Sequence, residues 1–150
     1  MGRAIGSVVV GYIVMAVIVF AAFTVAYLLM GADRAYQVGT YDVSGLWIAV
    51  SIVLSFCAAL IGGRTAAAIA RSATPPKALA GIVLVLGLVM AYSDSRGRAP
   101  ESTVRTGAPS FMDAAQASRQ PTWLLYLNPL IGAVGVLLGA AGARRQEPIG

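Results

Sequence analysis

The chain has 150 residues, 58% of them hydrophobic and 11% charged, with a formal net charge of +5. Soluble domains hold about 45–50% apolar and roughly 25% charged residues, so this composition excludes an ordinary soluble domain. The positive charge is scattered and no basic run exceeds the pair Arg144–Arg145, so no nucleic-acid partner is expected.

The apolar residues are clustered. Uncharged stretches fill residues 4–32, 43–63, 78–93 and 120–143. About 20 apolar residues, with a range of about 17–25, carry a helix across a bilayer. The pattern therefore predicts an all-α, up-down four-helix membrane bundle forming a single domain. Its spans lie near 5–30, 43–63, 78–92 and 122–143, with an outer loop over 93–121. The first apolar stretch runs well beyond the roughly 7–15 residues of a cleaved signal's core, so it reads as a retained span.

An eleven-residue polar turn, "ADRAYQVGTYD", leads into the second span. That helix is expected to continue through the alanine-rich "RTAAAIAR", which contains no breaker. "TPP" at 74–76 then ends it and opens the next helix, proline being suited to a first turn. The third span is short. Residues 78–92 reach only about 23 Å as a helix, which snorkelling of Lys77 and a headgroup position for Tyr92 would extend; a re-entrant segment is the alternative. In the long loop, "SFMDAAQASR" has capping-box-like spacing at Ser110 and Asp113 and predicts a short helix, with Phe111 and Met112 dipping towards the interface. The fourth segment holds Asn128–Pro129, a good cap and first-turn pair. A break or kink there is expected: either the spanning helix begins at Pro129, with "PTWLLYL" lying along the interface before it, or one helix runs from Thr122 with a proline kink.

Loop charge gives a weak positive-inside signal. With the N-terminus inside, the 64–77 loop carries three basic residues and no acid, while the outer loops mix both signs. Both termini are thus expected in the cytoplasm. Seven of eight Tyr and Trp residues fall at the opposite end of the spans. Tyr27, Trp47, Tyr92, Trp123 and Tyr126 read as interfacial anchors at headgroup level.

Gly132, Gly135, Gly139 and Gly142 recur in a 3-4-3 rhythm that superficially resembles a phosphate loop. Such loops follow a strand and carry a downstream GK[ST] or acidic partner, and neither is present. On a helix the same spacing makes one seam with Asn128. Small residues let helix backbones approach closely in lipid. A matching stripe on the second span comprises Ser51, Ser55, Ala58 and Gly62. Whether these seams pack internally or against another subunit stays open.

The chain has no histidine and one cysteine, Cys57, and all six carboxylates lie in loops or the tail. No catalytic, cofactor or metal set emerges, and no membrane-embedded acid of the kind that proton-coupled exporters use. "LIGGRTAAAIAR", "ALAGIVLVLGLVMA" and "PTWLLYLNPLIGAVGVLLGAAGARR" resemble, in pattern, small uncharacterised four-span bacterial inner-membrane proteins. Arginine outnumbers lysine ten to one, which fits a GC-rich bacterial source. The resemblance implies a fold and a compartment. The resulting expectation is a non-enzymatic inner-membrane protein without cofactor, acting as a structural, accessory or assembly subunit beside other subunits or copies of itself. A small oligomeric channel or transporter, with Ser51, Ser55 and Asn128 along a path, is the alternative.

Overall fold

The computed structural model describes residues 2–70, 72, 74–97, 104, 105 and 107–144. Arg71, Arg98 and Arg145 of the charge pattern, and the 98–103 part of the long loop, lie outside the described residues. The described residues form six helices: α1 (Gly2–Met30), α2 (Ala32–Ala35), α3 (Gly45–Ala70), α4 (Thr74–Gly97), α5 (Phe111–Ala117) and α6 (Thr122–Arg144). The described residues form an all-α bundle in which α1, α3, α4 and α6 are each long and apolar enough to cross a membrane. This is the architecture of a multi-pass membrane protein. Apolar side chains cover the outside as well: Leu28, Leu29 and Met90 are 72%, 80% and 67% exposed within the chain. A helix that is apolar all round suits a hydrocarbon surround, where such exposure costs nothing.

The short third span is resolved by its polar flanks. α4 begins at Thr74, with Pro75 and Pro76 in its first turn, and runs on through Ser93 to Gly97. At 1.5 Å per residue its 24 residues give about 36 Å, a full crossing. α3 likewise continues through the alanine-rich segment to Ala70. The Arg3 Nε–H donates to the Ile69 carbonyl at 2.9 Å, joining the start of α1 to the end of α3.

Of the two arrangements expected around Asn128, the structure has the single helix and not the break. α6 runs without interruption from Thr122, with Pro129 inside it. "TWLLYL" is therefore the first part of the spanning helix. Proline supplies no N–H, so a mid-helix position deprives Leu125 of its usual donor four residues on. Packing compensates: a Cβ built on Gly87 of α4 would come within 2.6 Å of the Pro129 ring, so the glycine leaves the room that the ring occupies.

The bundle is organised around α6. Its glycines meet α3, where a Cβ at Gly135 would approach the Ala59 Cβ to 2.7 Å, and one at Gly139 would run into the Leu60 carbonyl. From the other side, a Cβ at Gly63 would lie 2.6 Å from the Val136 Cα. The contact thus sets Gly135-x-x-x-Gly139 on α6 against Ala59-x-x-x-Gly63 on α3. Position 56 meets 135 and position 60 meets 139, so the two helices run in the same direction, as second and fourth spans must.

The sequence pattern pairs the Gly132–Gly142 seam with Ser51, Ser55, Ala58 and Gly62, and here the structure differs by one residue of register. Gly62 faces α1, where a Cβ would come within 3.0 Å of the Gly11 carbonyl and 2.9 Å of the Met15 Cβ. Ala59 and Gly63, one step round the helix, face α6. The physical reason is that α3 carries two small faces, one for each neighbour. The α6 glycines also divide: Gly132 points at Val83 of α4, whereas Gly142 has open space around it.

This division predicts unequal mutational costs. Gly139→Val forces backbone apart and is expected to destabilise by about 1–3 kcal/mol or more, a fall of several degrees in midpoint at about 2–4 °C per kcal/mol. Gly142→Val is expected to leave the midpoint unchanged. Thermal unfolding of the two purified variants in detergent, followed by circular dichroism, checks the contrast.

Candidate functional site

The chain's distinctive chemistry lies at the bundle end where α1 and α4 finish and α3 and α6 begin. α1 terminates at Gly31, whose φ of 74° favours glycine and whose N–H donates to the Tyr27 carbonyl at 2.8 Å. The single turn α2 follows. Residues 37–42 then fold back, with the Gln37 N–H donating to the Asp42 carbonyl at 2.8 Å and an antiparallel bridge pairing Tyr36 with Val43. Ser44 starts α3 as its cap, its Oγ accepting from the Trp47 N–H at 3.1 Å.

The long loop is stitched onto this platform. The Val43 N–H donates to the Arg119 carbonyl at 3.0 Å, and the Arg119 N–H donates to the Tyr41 carbonyl at 2.9 Å. Two phenols hold it from beneath: Tyr27 donates to the Pro109 carbonyl and Tyr36 to the Ala114 carbonyl, each at 2.9 Å. The Arg105 N–H donates to the Gly39 carbonyl at 2.9 Å, while its guanidinium meets the Asp33 carboxylate at 2.7 Å. The side chain of Arg105 is 8% exposed and that of Asp33 is 92% exposed, so solvent screens the carboxylate and the backbone tie does more to fix the loop. The predicted short helix is present as α5, with the Ser110 Oγ accepting from the Asp113 N–H. Together these segments form a cap.

Aromatic rings fill the space under the cap. Tyr27, Tyr36 and Trp47 are buried at 5%, 3% and 6% exposure and pack with Phe23 and Phe111. Their rings meet mainly edge to face: Tyr27–Trp47 centroids are 6.2 Å apart and Phe23–Trp47 centroids 5.9 Å apart. Such pairs add about 0.5–1.5 kcal/mol each beyond their buried area. Tyr27 and Trp47, expected as headgroup anchors, are therefore core residues of the cap. Tyr92 and Trp123 are outward, 50% and 56% exposed, with the Arg96 guanidinium 4.6 Å over the Tyr92 ring. Tyr126 lies between these cases, its hydroxyl 3.3 Å from the Ser95 Oγ.

Beside this cluster is a cavity of about 650 Å³. One wall is aromatic, formed by Phe23, Tyr27, Tyr36, Trp47 and Phe111. The other is polar, formed chiefly by Asp94, Gln116, Ser118, Arg119 and Gln120. Volumes of about 300–1,000 Å³ with an apolar lining and a few convergent polar groups are typical of small-ligand sites. The polar wall is absent from the sequence expectations because it gathers the end of α4, the end of α5 and the linker before α6. No local spacing joins them.

The stripe residues do not line this cavity. Ser51 is buried and donates to the Ile48 carbonyl at 2.8 Å; Ala58 is fully buried; Ser55 is half-buried. Asn128 donates through Nδ2 to the Gln120 Oε1 at 3.5 Å, and its Oδ1 is buried without a donor. Among the described residues no cluster of three or more His, Cys, Asp or Glu could hold a metal ion. Comparison of the chain with protein-family models, with curated proteins and with solved structures gives no match.

Burial pushes the Tyr36 phenol above its usual range, against a smaller opposing effect of its hydrogen bond with Ser118. A raised folded-state value means that the unfolded chain loses the proton first. The stabilisation is complete below the ordinary tyrosine value of about 10 and declines as pH rises beyond it. Protection factors over 107–121, with base-catalysed exchange divided out, are therefore expected to fall above about pH 10. Tyr36→Phe leaves the Ala114 carbonyl buried without its donor, at about 1–3 kcal/mol. It is expected to speed exchange at neutral pH and to flatten the alkaline response.

Proposed function

We propose that the chain is a non-enzymatic structural, accessory or assembly subunit of a bacterial inner-membrane complex, with its cap as the partner-facing element. One observation carries this reading: the cap is firmly built, yet it leaves large apolar side chains bare outside the spans. Val38, at the 37–42 turn, is 96% exposed, and Val104 is 73% exposed. Lipid accounts for exposed leucines on the helices, but does not reach beyond the headgroups. Apolar groups that lie bare together on an extramembrane surface mark a contact with another protein, and the Arg105–Gly39 backbone bond brings the Val38 and Val104 segments side by side. The inward use of Gly135 and Gly139 supports the same choice of surface, since the principal seam is already occupied by α3.

Purification of the chain from its native membrane in mild detergent is expected to bring a stoichiometric partner. Val38→Asp with Val104→Asp is expected to release that partner while the bundle's unfolding midpoint stays unchanged. A lone homo-oligomer that conducts solute in liposomes would favour the channel reading and sink this one.

The orientation that goes with this proposal places both termini in the cytoplasm and the cap outside. In a Cys57→Ser background, Val38→Cys is expected to react with a membrane-impermeant maleimide in intact cells, and Ser72→Cys only after lysis. The reverse pattern would invert the topology.

A further inference from the structure

The bundle end opposite the cap gathers the start of α1, the end of α3, the start of α4 and the end of α6. Three contacts place them together. The Arg3 Nε–H donates to the Ile69 carbonyl at 2.9 Å. A Cβ on Gly11 would come within 3.0 Å of Leu79 Cδ2, two residues past Lys77. One on Gly139 would meet the backbone of Leu60, and carrying that parallel register forward sets the last residue of α6, Arg144, at about the level of Arg64.

Charge divides unevenly between the two ends. Five of the six acidic residues belong in sequence to the cap end, and five basic residues balance them there. The other six basic residues, Arg3, Arg64, Arg71, Lys77, Arg144 and Arg145, adjoin the opposite helix ends, with Glu147 as the single acid. The entire net charge of +5 therefore belongs to one end of the bundle. Arg3 and Lys77 are exposed, on neighbouring helices. Arg64 is exposed as well and has an interaction of its own within the chain, so its part is to add to the field.

The two ends also differ in how they can be held at the membrane surface. The cap end has outward Tyr92 and Trp123. At the opposite end the nearest Tyr or Trp is Tyr12, nine residues inward from Arg3. Long cationic side chains are left as the interfacial anchors, their stems along the apolar spans and their heads among the phosphates. A guanidinium pairs with two phosphate oxygens and an ammonium acts as a point charge. A zwitterionic headgroup brings its own ammonium into this positive field. A headgroup with net negative charge brings no such opposing charge.

We propose that the end opposite the cap is a docking surface for phospholipids of net negative charge, with Arg3 and Lys77 meeting the phosphate and the remaining basic residues drawing it in. The surface lies at the other end of the bundle from the proposed partner contact, so either reading can fail without the other.

The test uses the purified full chain, stripped of lipid in detergent and titrated with dioleoyl phosphatidylglycerol or dioleoyl phosphatidylethanolamine under native mass spectrometry. The phosphatidylglycerol adduct is expected to be held about tenfold more tightly, since each basic residue near the surface is worth about fivefold. Arg3→Gln with Lys77→Gln is expected to remove the preference. Arg3 also bonds α3, so Lys77→Gln alone, at an exposed position, provides the second reading and is expected to cut the preference about fivefold with an unchanged unfolding midpoint. Arg34→Gln with Arg96→Gln removes the same charge from exposed positions at the cap end and is expected to leave the preference intact. Equal retention of both lipids by the unaltered chain, a preference that survives Lys77→Gln, or one lost equally in the cap-end variant would overturn the proposal. Free glycerol phosphate displacing the lipid at equal concentration would assign the surface to a soluble phosphate and overturn the lipid assignment.

Discussion

The close approach of α3 and α6 governs the rest of the bundle. Lipid tails are as apolar as leucine, so nothing expels these helices from their surroundings into each other. Association must come from backbone proximity and dense packing. Gly135, Gly139, Gly63 and Ala59 provide that proximity, with Val136 lodged where Gly63 has no side chain. Once α6 is fixed against α3, Pro129 meets Gly87 and Gly132 meets Val83, which positions α4. On the neighbouring face of α3, one step round the helix, Gly62 and Gly11 admit α1. The order round the bundle is thus set by small residues and departs from chain order, with the second span packed chiefly on the fourth.

A different physics holds the cap. There, water is available and aromatic burial is favourable, so large residues replace small ones. Tyr27, Tyr36, Trp47, Phe23 and Phe111 supply volume, and the two phenols direct their hydroxyls to loop carbonyls. The same molecule therefore uses glycine along its mid-span seams and aromatic rings where the cap meets the ends of the spans. The transition occurs within two turns of helix, between Ser51 and Trp47 on α3, both of them buried. The cavity lies at that boundary, with one wall from the aromatic cluster and the other from polar ends and linkers.

The spans were legible because hydropathy reports on the solvent. Their true lengths were less so, since Thr74–Lys77 and Ser93–Gly97 are polar and yet helical. Breakers at 75 and 76 are harmless in a first turn, and Gly97 ends the helix where hydrocarbon has already been left behind. The glycine rhythm correctly marked α6 as a packing helix. It could not reveal that Ala59 and Gly63 were the partners, because alanine and glycine are common on every face of α3. Asn128–Pro129 left two readings open for a related reason. A cap signature also fits a helix interior when a glycine on the neighbour, here Gly87, accommodates the ring. The cavity's polar wall was illegible, being assembled from segments that meet through contacts distant in sequence, such as the Asp42–Arg119 bridge, the Tyr36 bond to the Ala114 carbonyl and the Ser95–Tyr126 pair.

The parallel pairing of α3 with α6 also has a consequence for biogenesis. Ribosomes deliver α3 and α4 to the membrane well before α6 exists, and the Ala59–Gly63 face has no partner during that interval. A half-made chain therefore carries an open backbone groove in the bilayer, which only α6 can close from within the same polypeptide. Completion of the chain, and not insertion of the early spans, commits this bundle to its final shape. Cellular quality control would meet the protein most often in that waiting state.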